Sequence, residues 1–342
     1  MILKIGNKNV NYFNEFSFTL KYDSVASTFG FNFYFNPENA EHKALFKPGS
    51  YQVVTLEHNG ELLLTGRILS HQFPREATKQ LASLAGYSLP GVLEDCDIPT
   101  SLYPLQSDGL TIRQIAEKLL KPFGLKMVVD PSVSRQMDQV LVTSIAGANQ
   151  KIKGYLAEIA SQKNIVISHT EKGEVLFSSS KTNQKPIIAY QDGSPVTSIV
   201  LSMDGQAMSS QITVIKQADV DGGNAGEATI NNPYAANVFR PRIKIQSSGT
   251  DIDSSLAARN ALSDELRNVR LTITTDRWVV DGKILKPNNL VSVLSPENYI
   301  YKKTNFFIES ISFTGNNVQT IAVLNCVLPE VHNGATPKNI FA

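Results

Sequence analysis

The sequence predicts a mainly β protein with an α+β insert, arranged as two small antiparallel β-barrel domains flanking a small α+β domain. Three observations predict it. Apolar residues alternate at every second position near both ends of the 342-residue chain, which is the period of half-buried strands. Three- and four-residue apolar spacing, the period of helices, is confined to a middle segment and one later stretch. The turn Lys47-Pro48-Gly49-Ser50 leads into YQVVTLE much as Lys286-Pro287-Asn288-Asn289 leads into LVSVLS, an echo that suggests two related barrels.

Residues 1–98 make up the first barrel domain in this reading. Phe16 to Leu20 and Gly30 to Phe35 alternate as strands. Within YQVVTLEHNGELLLTGRILSHQF, Asn59-Gly60 separates two apolar strands, and both residues tolerate the positive φ that a type I′ turn needs. Residues 99–185 make up the α+β domain. There DGLTIRQIAEKLLKPFG puts Ile112, Ile115, Ala116, Leu119 and Leu120 on one helical face, capped by Thr111 or Asp108 and stopped by Pro122 and Gly124. A second helix, KIKGYLAEIASQK, carries Ile152, Tyr155, Leu156 and Ile159, and the strands NIVISHT and EVLFSSS follow around a Lys172-Gly173 turn.

Residues 186–331 return to strands, TSIVLSM and SQITVIKQ, and make up the second barrel domain. A long loop at 217–237 interrupts it, expected to be exposed and mobile because its glycines and asparagines leave nothing for a core to bury. Then come RPRIKIQ and an inserted helix at 251–270, opened by Asp251 or Asp253 and carrying Leu256, Ala257, Leu262 and Leu266. LTITTDRWVV, NLVSVLS, FFIESISFTG and QTIAVLNCVL close the domain as strands, and the tail at 332–342 is expected to be disordered.

Composition narrows the function. Lys+Arg 32 against Asp+Glu 31 gives a net charge of +1, so no overall field favours a polyanion, and no basic stripe marks a sequence-specific nucleic-acid site. No segment has the uninterrupted apolar length of a membrane span, and the N-terminus lacks a signal pattern, so a soluble product without stable membrane insertion is expected. Cys96 and Cys326 match no metal or redox spacing and are expected to be buried free thiols.

The search for chemistry returns no catalytic, cofactor or metal site. His42, His58, His71, His169 and His332 are scattered singly. Ser88, in Gly86-Tyr87-Ser88-Leu89-Pro90-Gly91, resembles a nucleophile elbow, but the second glycine falls one residue late and no alternating strand-helix α/β pattern surrounds it. The pairs Asp95/Asp97, Asp219/Asp221 and Asp251/Asp253 lack the rest of a calcium loop, and read as turn, loop and helix-cap carboxylates respectively. Trp278 lies in an alternating strand and reads as core packing rather than a ligand platform.

Three stretches together resemble the hub proteins of contractile phage tails, the Mu-like baseplate hub family, whose architecture is related to the hub part of type VI secretion spikes. The first is LFKPGSYQVVTLEHNGELLLTGRI with LAGYSLPGVLEDCDIP, where Tyr87 replaces a commoner arginine and Glu94 precedes Asp95. The second is DGLTIRQIAEKLLKPFGL with KIKGYLAEIASQKNIVISHTEKGEVLFS. The third runs from FRPRIKIQSSGTDIDSSLAARNALSDELRNVRLTITTDRW through ILKPNNLVSV and IESISFTG to VLPE.

The resemblance implies a non-enzymatic virion protein, made in the host cytoplasm and placed in the tail baseplate, with no cofactor. Its two tube-like barrels would be repeated by a homotrimer into a six-barrel ring. That ring would join the sixfold tail tube, or a tube-initiator protein, to a threefold central spike and form part of the DNA channel. Other baseplate proteins and the tape measure protein are further implied partners. The loop from Gly222 to Ala236 would order on assembly. Two other readings are a tail-associated enzyme that degrades cell walls with carboxylates not visible in the sequence, and a monomeric carbohydrate-binding β module.

Overall fold

In the computed structural model, which describes residues 1–75, 80–102, 109–141, 146, 147, 149–194, 196–216, 227–246, 254–316 and 318–342, the alternating phenylalanines near the N-terminus turn to one side of a sheet. The chain folds as two compact units, residues 1–179 with 312–322, and residues 180–311 with 323–342.

The first unit begins with strands β1 (Ile2–Ile5), β2 (Lys8–Val10), β3 (Phe13–Lys21) and β4 (Thr28–Tyr34). A short helix α1 (Ala40–Leu45) precedes β5 (Val53–His58), β6 (Glu61–Gln72) and β7 (Leu81–Ser88). Phe16, Phe18, Phe29, Phe31 and Phe33 are buried, while Ser17, Gly30, Asn32 and Ser83 share the opposite face. The Phe18 and Phe313 rings stack with centroids 4.6 Å apart. The β5–β6 hairpin turns on Asn59 at φ 51° and Gly60 at φ 80°, the positive pair of a type I′ turn.

Helices α2 (Val92–Asp95), α3 (Ile112–Leu120), α4 (Ser134–Met137) and α5 (Ile152–Ser161) follow, with a small sheet of β8 (Met127–Val129), β9 (Val166–His169) and β10 (Val175–Ser178). Helix α3 starts with a capping box in which Thr111 and Gln114 bond each other's backbone N–H. Asp108, the other expected cap, lies outside the described residues. The expected helix faces are buried: Ile112, Ile115 and Leu119 join Ile152, Tyr155, Leu156 and Ile159 in one core with Phe177, Val25 and Leu93. The helix stops where Gly124 takes a left-handed φ of 62°.

The second unit contains β11 (Ile188–Gln191), β12 (Ser198–Met203), β13 (Gln211–Lys216), β14 (Glu227–Asn231) and β15 (Pro241–Gln246). Helix α6 (Ser254–Leu266), β16 (Val269–Thr275), β17 (Val279–Val280), β18 (Lys283–Ile284) and β19 (Leu290–Ser295) come next. The chain then forms β20 (Ile300–Asn316), β21 (Thr320–Val327) and helix α7 (Glu330–Asn333), with Ser312–Ala322 counted in the first unit.

Strand order repeats. In the first unit neighbouring strands run β3-β4-β7-β6-β5-β1, and in the second they run β12-β16-β21-β20-β19-β11. Taken in chain order, both series are two strands followed by a three-strand meander that folds back beside them, with one preceding strand added at the far edge. The turns at Pro48 and Pro287 occupy equivalent places, each just before the meander's first strand. The last pair differs, since β1 joins β5 antiparallel and β11 joins β19 parallel. The fold is mainly β, with parallel pairs also where β8 meets β10 and β13 meets β15. No closed ring of strand pairings forms among the described residues.

Four expectations need correction. The interval 217–237 is not one exposed loop: residues 217–226 lie outside the described residues, but Glu227–Asn231 is a strand paired with β13, and Tyr234 and Ala235 are buried. The tail is not free of structure either, because Tyr234 Oη donates to the Lys338 carbonyl at 2.9 Å and Asn339 Nδ2 donates to the Pro233 carbonyl at 3.2 Å. Two weakly apolar segments satisfy each other in a way that neither could alone. The inserted helix ends at Leu266 and gives way to β16 at Val269, where the apolar period changes from helical to alternating. Its expected caps Asp251 and Asp253 lie outside the described residues, and Trp278 is buried between β16 and β17 instead of lying within a strand.

Candidate assembly surface

The reactive side chains singled out in the sequence serve the fold. Ser88 is fully buried; its hydroxyl donates to the Val25 carbonyl at 2.6 Å and accepts from the Ser27 N–H at 3.0 Å. Asp97 pairs with Lys151 at 2.9 Å, and Lys151 also donates to the Asp95 carbonyl at 2.7 Å, so the Asp97 carboxylate and the Asp95 backbone together pin a turn to the start of helix α5. The Tyr87 hydroxyl donates to Asp95, and burial followed by that bond pushes its pKa up. Asp219, Asp221, Asp251 and Asp253 lie outside the described residues. Cys96 is half-buried, against expectation, because helix α2 ends there at the surface; Cys326 is buried, and desolvation raises its pKa. Among the described residues no group of three His, Cys, Asp or Glu side chains could hold a metal ion.

Two pairings were invisible in the sequence because their members are far apart along it. His169 Nε2 sits 2.6 Å from Ser27 Oγ while its Nδ1 sits 2.9 Å from the Thr170 carbonyl. A carbonyl can only accept, so Nδ1 carries the proton and Nε2 accepts from Ser27. That is the skeleton of a serine nucleophile with its base, but Ser27 is fully buried and its oxygen also accepts from the Lys21 N–H, so no substrate can reach it. Desolvation lowers the His169 pKa and keeps the ring neutral. The other pairing joins His332 Nε2 to Glu309 Oε1 at 2.9 Å, with Arg267 on the same carboxylate.

Burial alone would raise the Glu309 pKa, yet the bond from His332 and the charges of Arg267 and Arg270 hold it below the usual glutamate range. A carboxylate with a depressed folded pKa contributes stability above its unfolded pKa, and that contribution fades as pH falls through the folded value. Acid titration of unfolding free energy should therefore fall less steeply for Glu309→Gln than for the unchanged chain.

A groove of about 410 Å³ lies over the small-residue face of β3, β4 and β7. Its polar groups answer one another: Asn32 Nδ2 donates to Glu15 at 3.0 Å and Ser83 Oγ donates to Asn32 at 2.6 Å. Phe16 and Phe31, whose side chains are buried, also line the groove.

Among the described residues, the sheet β14-β13-β15 exposes a row of large apolar side chains. Helix α6 covers one face, over Ile212 and Val214, which are both fully buried. The side chains of β15 are inverted relative to that core. On the helix side stand Arg242, 3.2 Å from Glu265, and Lys244; just before the strand, Arg240 donates to the carbonyls of Gly205 and Gln206 at 2.7 and 2.5 Å. Facing water are Phe239, Pro241, Ile243 and Ile245, with Phe239 at 90%, Ile243 at 67% and Ile245 at 72% exposure. Glu265 itself is 4% exposed and accepts from the Ser209 N–H at 2.7 Å and the Ser209 hydroxyl at 2.9 Å, so the inverted strand is held firmly. The alternation of FRPRIKIQ is plain in the sequence, but which half faces out depends on the pairing of β15 with β13.

No family model and no curated protein matches the chain. Solved structures do. The 43 kDa tail protein of prophage MuSo2 from Shewanella oneidensis superposes with a TM-score of 0.82 at 19% identity, covering 97% of this chain and 99% of that one. A tail protein from Neisseria meningitidis MC58 gives 0.79 at 17% identity, covering 97% of both. A type VI secretion system component from E. coli, itself described as similar to T4 bacteriophage tail proteins, gives 0.56 at 9% identity over 99% of this chain and 80% of that one. The chain thus has the fold of these phage tail proteins and of the type VI secretion system component.

Proposed function

We propose that the chain is a non-enzymatic structural protein of a contractile phage tail, a homotrimeric baseplate hub that joins the sixfold tail tube to the threefold central spike. The observation that carries this reading is the repeated strand order: β3-β4-β7-β6-β5 and β12-β16-β21-β20-β19 are the same arrangement twice in one chain. Three copies then present six similar β modules to the tube while keeping threefold symmetry for the spike. The ring encloses part of the DNA channel, and a net charge of +1 leaves no global attraction to the polymer passing through it. Its partners on this reading are the spike, the tube or tube-initiator protein, other baseplate proteins and the tape measure protein. It takes no cofactor, and the mature particle, rather than the host cytoplasm where assembly occurs, is its working location.

Mass photometry of the purified chain tests the proposal. A particle of three times the 37.5 kDa chain mass, with a central opening in negative stain, is the expected result. A particle that remains a single chain both free and within isolated tails would overturn it.

A further inference from the structure

We propose that the open edge of β15 is a docking strand for an extended segment of a different protein, one whose apolar residues alternate with aspartate or glutamate. This deepens the assembly reading above by assigning a partner chemistry to one surface.

The edge is built to accept a strand. Arg240 donates its N–H to Ser210 Oγ at 2.9 Å and accepts from the Ser210 N–H at 2.9 Å, so the even-numbered residues direct their amide groups toward β13. Successive residues of a strand point these groups to opposite edges, which leaves the N–H and C=O of Ile243 and Ile245 facing outward. Beyond β15 the sheet has no further strand among the described residues. The same two isoleucines expose their side chains, so one incoming strand would gain both ladder hydrogen bonds and apolar contact.

Charge selects the occupant. The helix-side face of this segment carries Arg240, Arg242 and Lys244, of which Arg242 is offset by Glu265. Antiparallel pairing of β15 with its own copy would set these cations against one another, which is unfavourable for directly opposed residues. Among the described residues the other edge strands do not complement it: β2, β8, β9, β11, β12, β17 and β18 carry no carboxylate, and β14 carries only Glu227. A strand with acids on the face beside Arg242 and Lys244, and apolar residues beside Ile243 and Ile245, satisfies both faces at once.

Fluorescence anisotropy of the full chain with two labelled peptides tests this, one alternating valine with glutamate and one alternating valine with lysine. The glutamate peptide should bind, more weakly as salt rises, and the lysine peptide should not. Ile245→Pro removes an outward N–H without touching the β13 ladder, and should weaken binding roughly tenfold or more while leaving thermal unfolding unchanged. Lys244→Glu, which keeps every backbone group, should reverse the peptide preference and decides the matter if the proline variant does not fold. Equal binding of both peptides, no binding of either, or unaltered preference in Lys244→Glu overturns the proposal. So does a fall in particle mass for Ile245→Pro, which would make a second copy the occupant. A monomeric unchanged chain that still prefers the glutamate peptide would count against the trimeric hub and not against this edge.

Discussion

Gly86→Ala is expected to lower the unfolding free energy by about 3 kcal/mol, the upper part of the range for forcing atoms into a packed site. Gly86 lies in β7 opposite Ile68, with Phe29 on the other side in β4. A methyl group there would run into the Arg67 carbonyl oxygen and stand 2.7 Å from the Phe29 ring, so backbone would have to move on one side and a buried aromatic on the other. At Gly66, diagonally across on β6, a methyl group would stand 2.8 Å from the same ring, so both glycines leave room for Phe29. Gly205→Ala, where nothing lies within 4 Å, should change stability by less than about 0.5 kcal/mol, the scatter of ordinary surface substitutions. Urea unfolding of the two variants measures the contrast. Equal midpoints would mean that the sheet yields at Gly86.

The second large effect is expected at Glu265. Glu265→Leu should cost about 2–3 kcal/mol, because it removes a buried carboxylate and leaves the Ser209 N–H and hydroxyl without their acceptor. Arg242→Met should cost under about 1 kcal/mol, since the arginine side chain is 58% exposed and water screens and replaces its partner. The asymmetry identifies the serine bonds as the main contribution and the ion pair as a minor one. Denaturant midpoints for both variants check it, and comparable losses would contradict it.

Much of this architecture was legible in the sequence where local chemistry decides. Asn59-Gly60 admits positive φ at both turn positions, so the hairpin could be placed to the residue. The spacing of Ile112, Ile115, Leu119 and of Ile152, Tyr155, Ile159 gave two helix faces, and all six residues are buried. The proline turns before β5 and β19 indicated a repeat, which the shared strand order bears out. Where polar composition stood in for structure, the reading failed. Asn232 to Ala235 and the tail at 337–341 look like free chain one at a time, yet the Tyr234 hydroxyl receives a hydrogen bond from the Ile340 N–H and donates one to Lys338 across about a hundred residues. The Ser27–His169 bond was equally hidden, since no periodicity links positions so far apart.

The sequence by itself determined the strand and helix periods, the hairpin turn, the absence of a metal or nucleophile motif, and the resemblance to tail hubs. All of these depend on neighbours within a few positions or on an ordered series of such segments. Only the tertiary structure decided which side of an alternating strand meets the core. In β15 the usual rule is reversed: Arg242 stands on the helix side, 3.2 Å from Glu265, and Ile243 and Ile245 face water. The pairing of β15 with β13, formed between segments far apart in the chain, fixes which side of the strand meets the helix, and the local alternation alone cannot choose between its two halves.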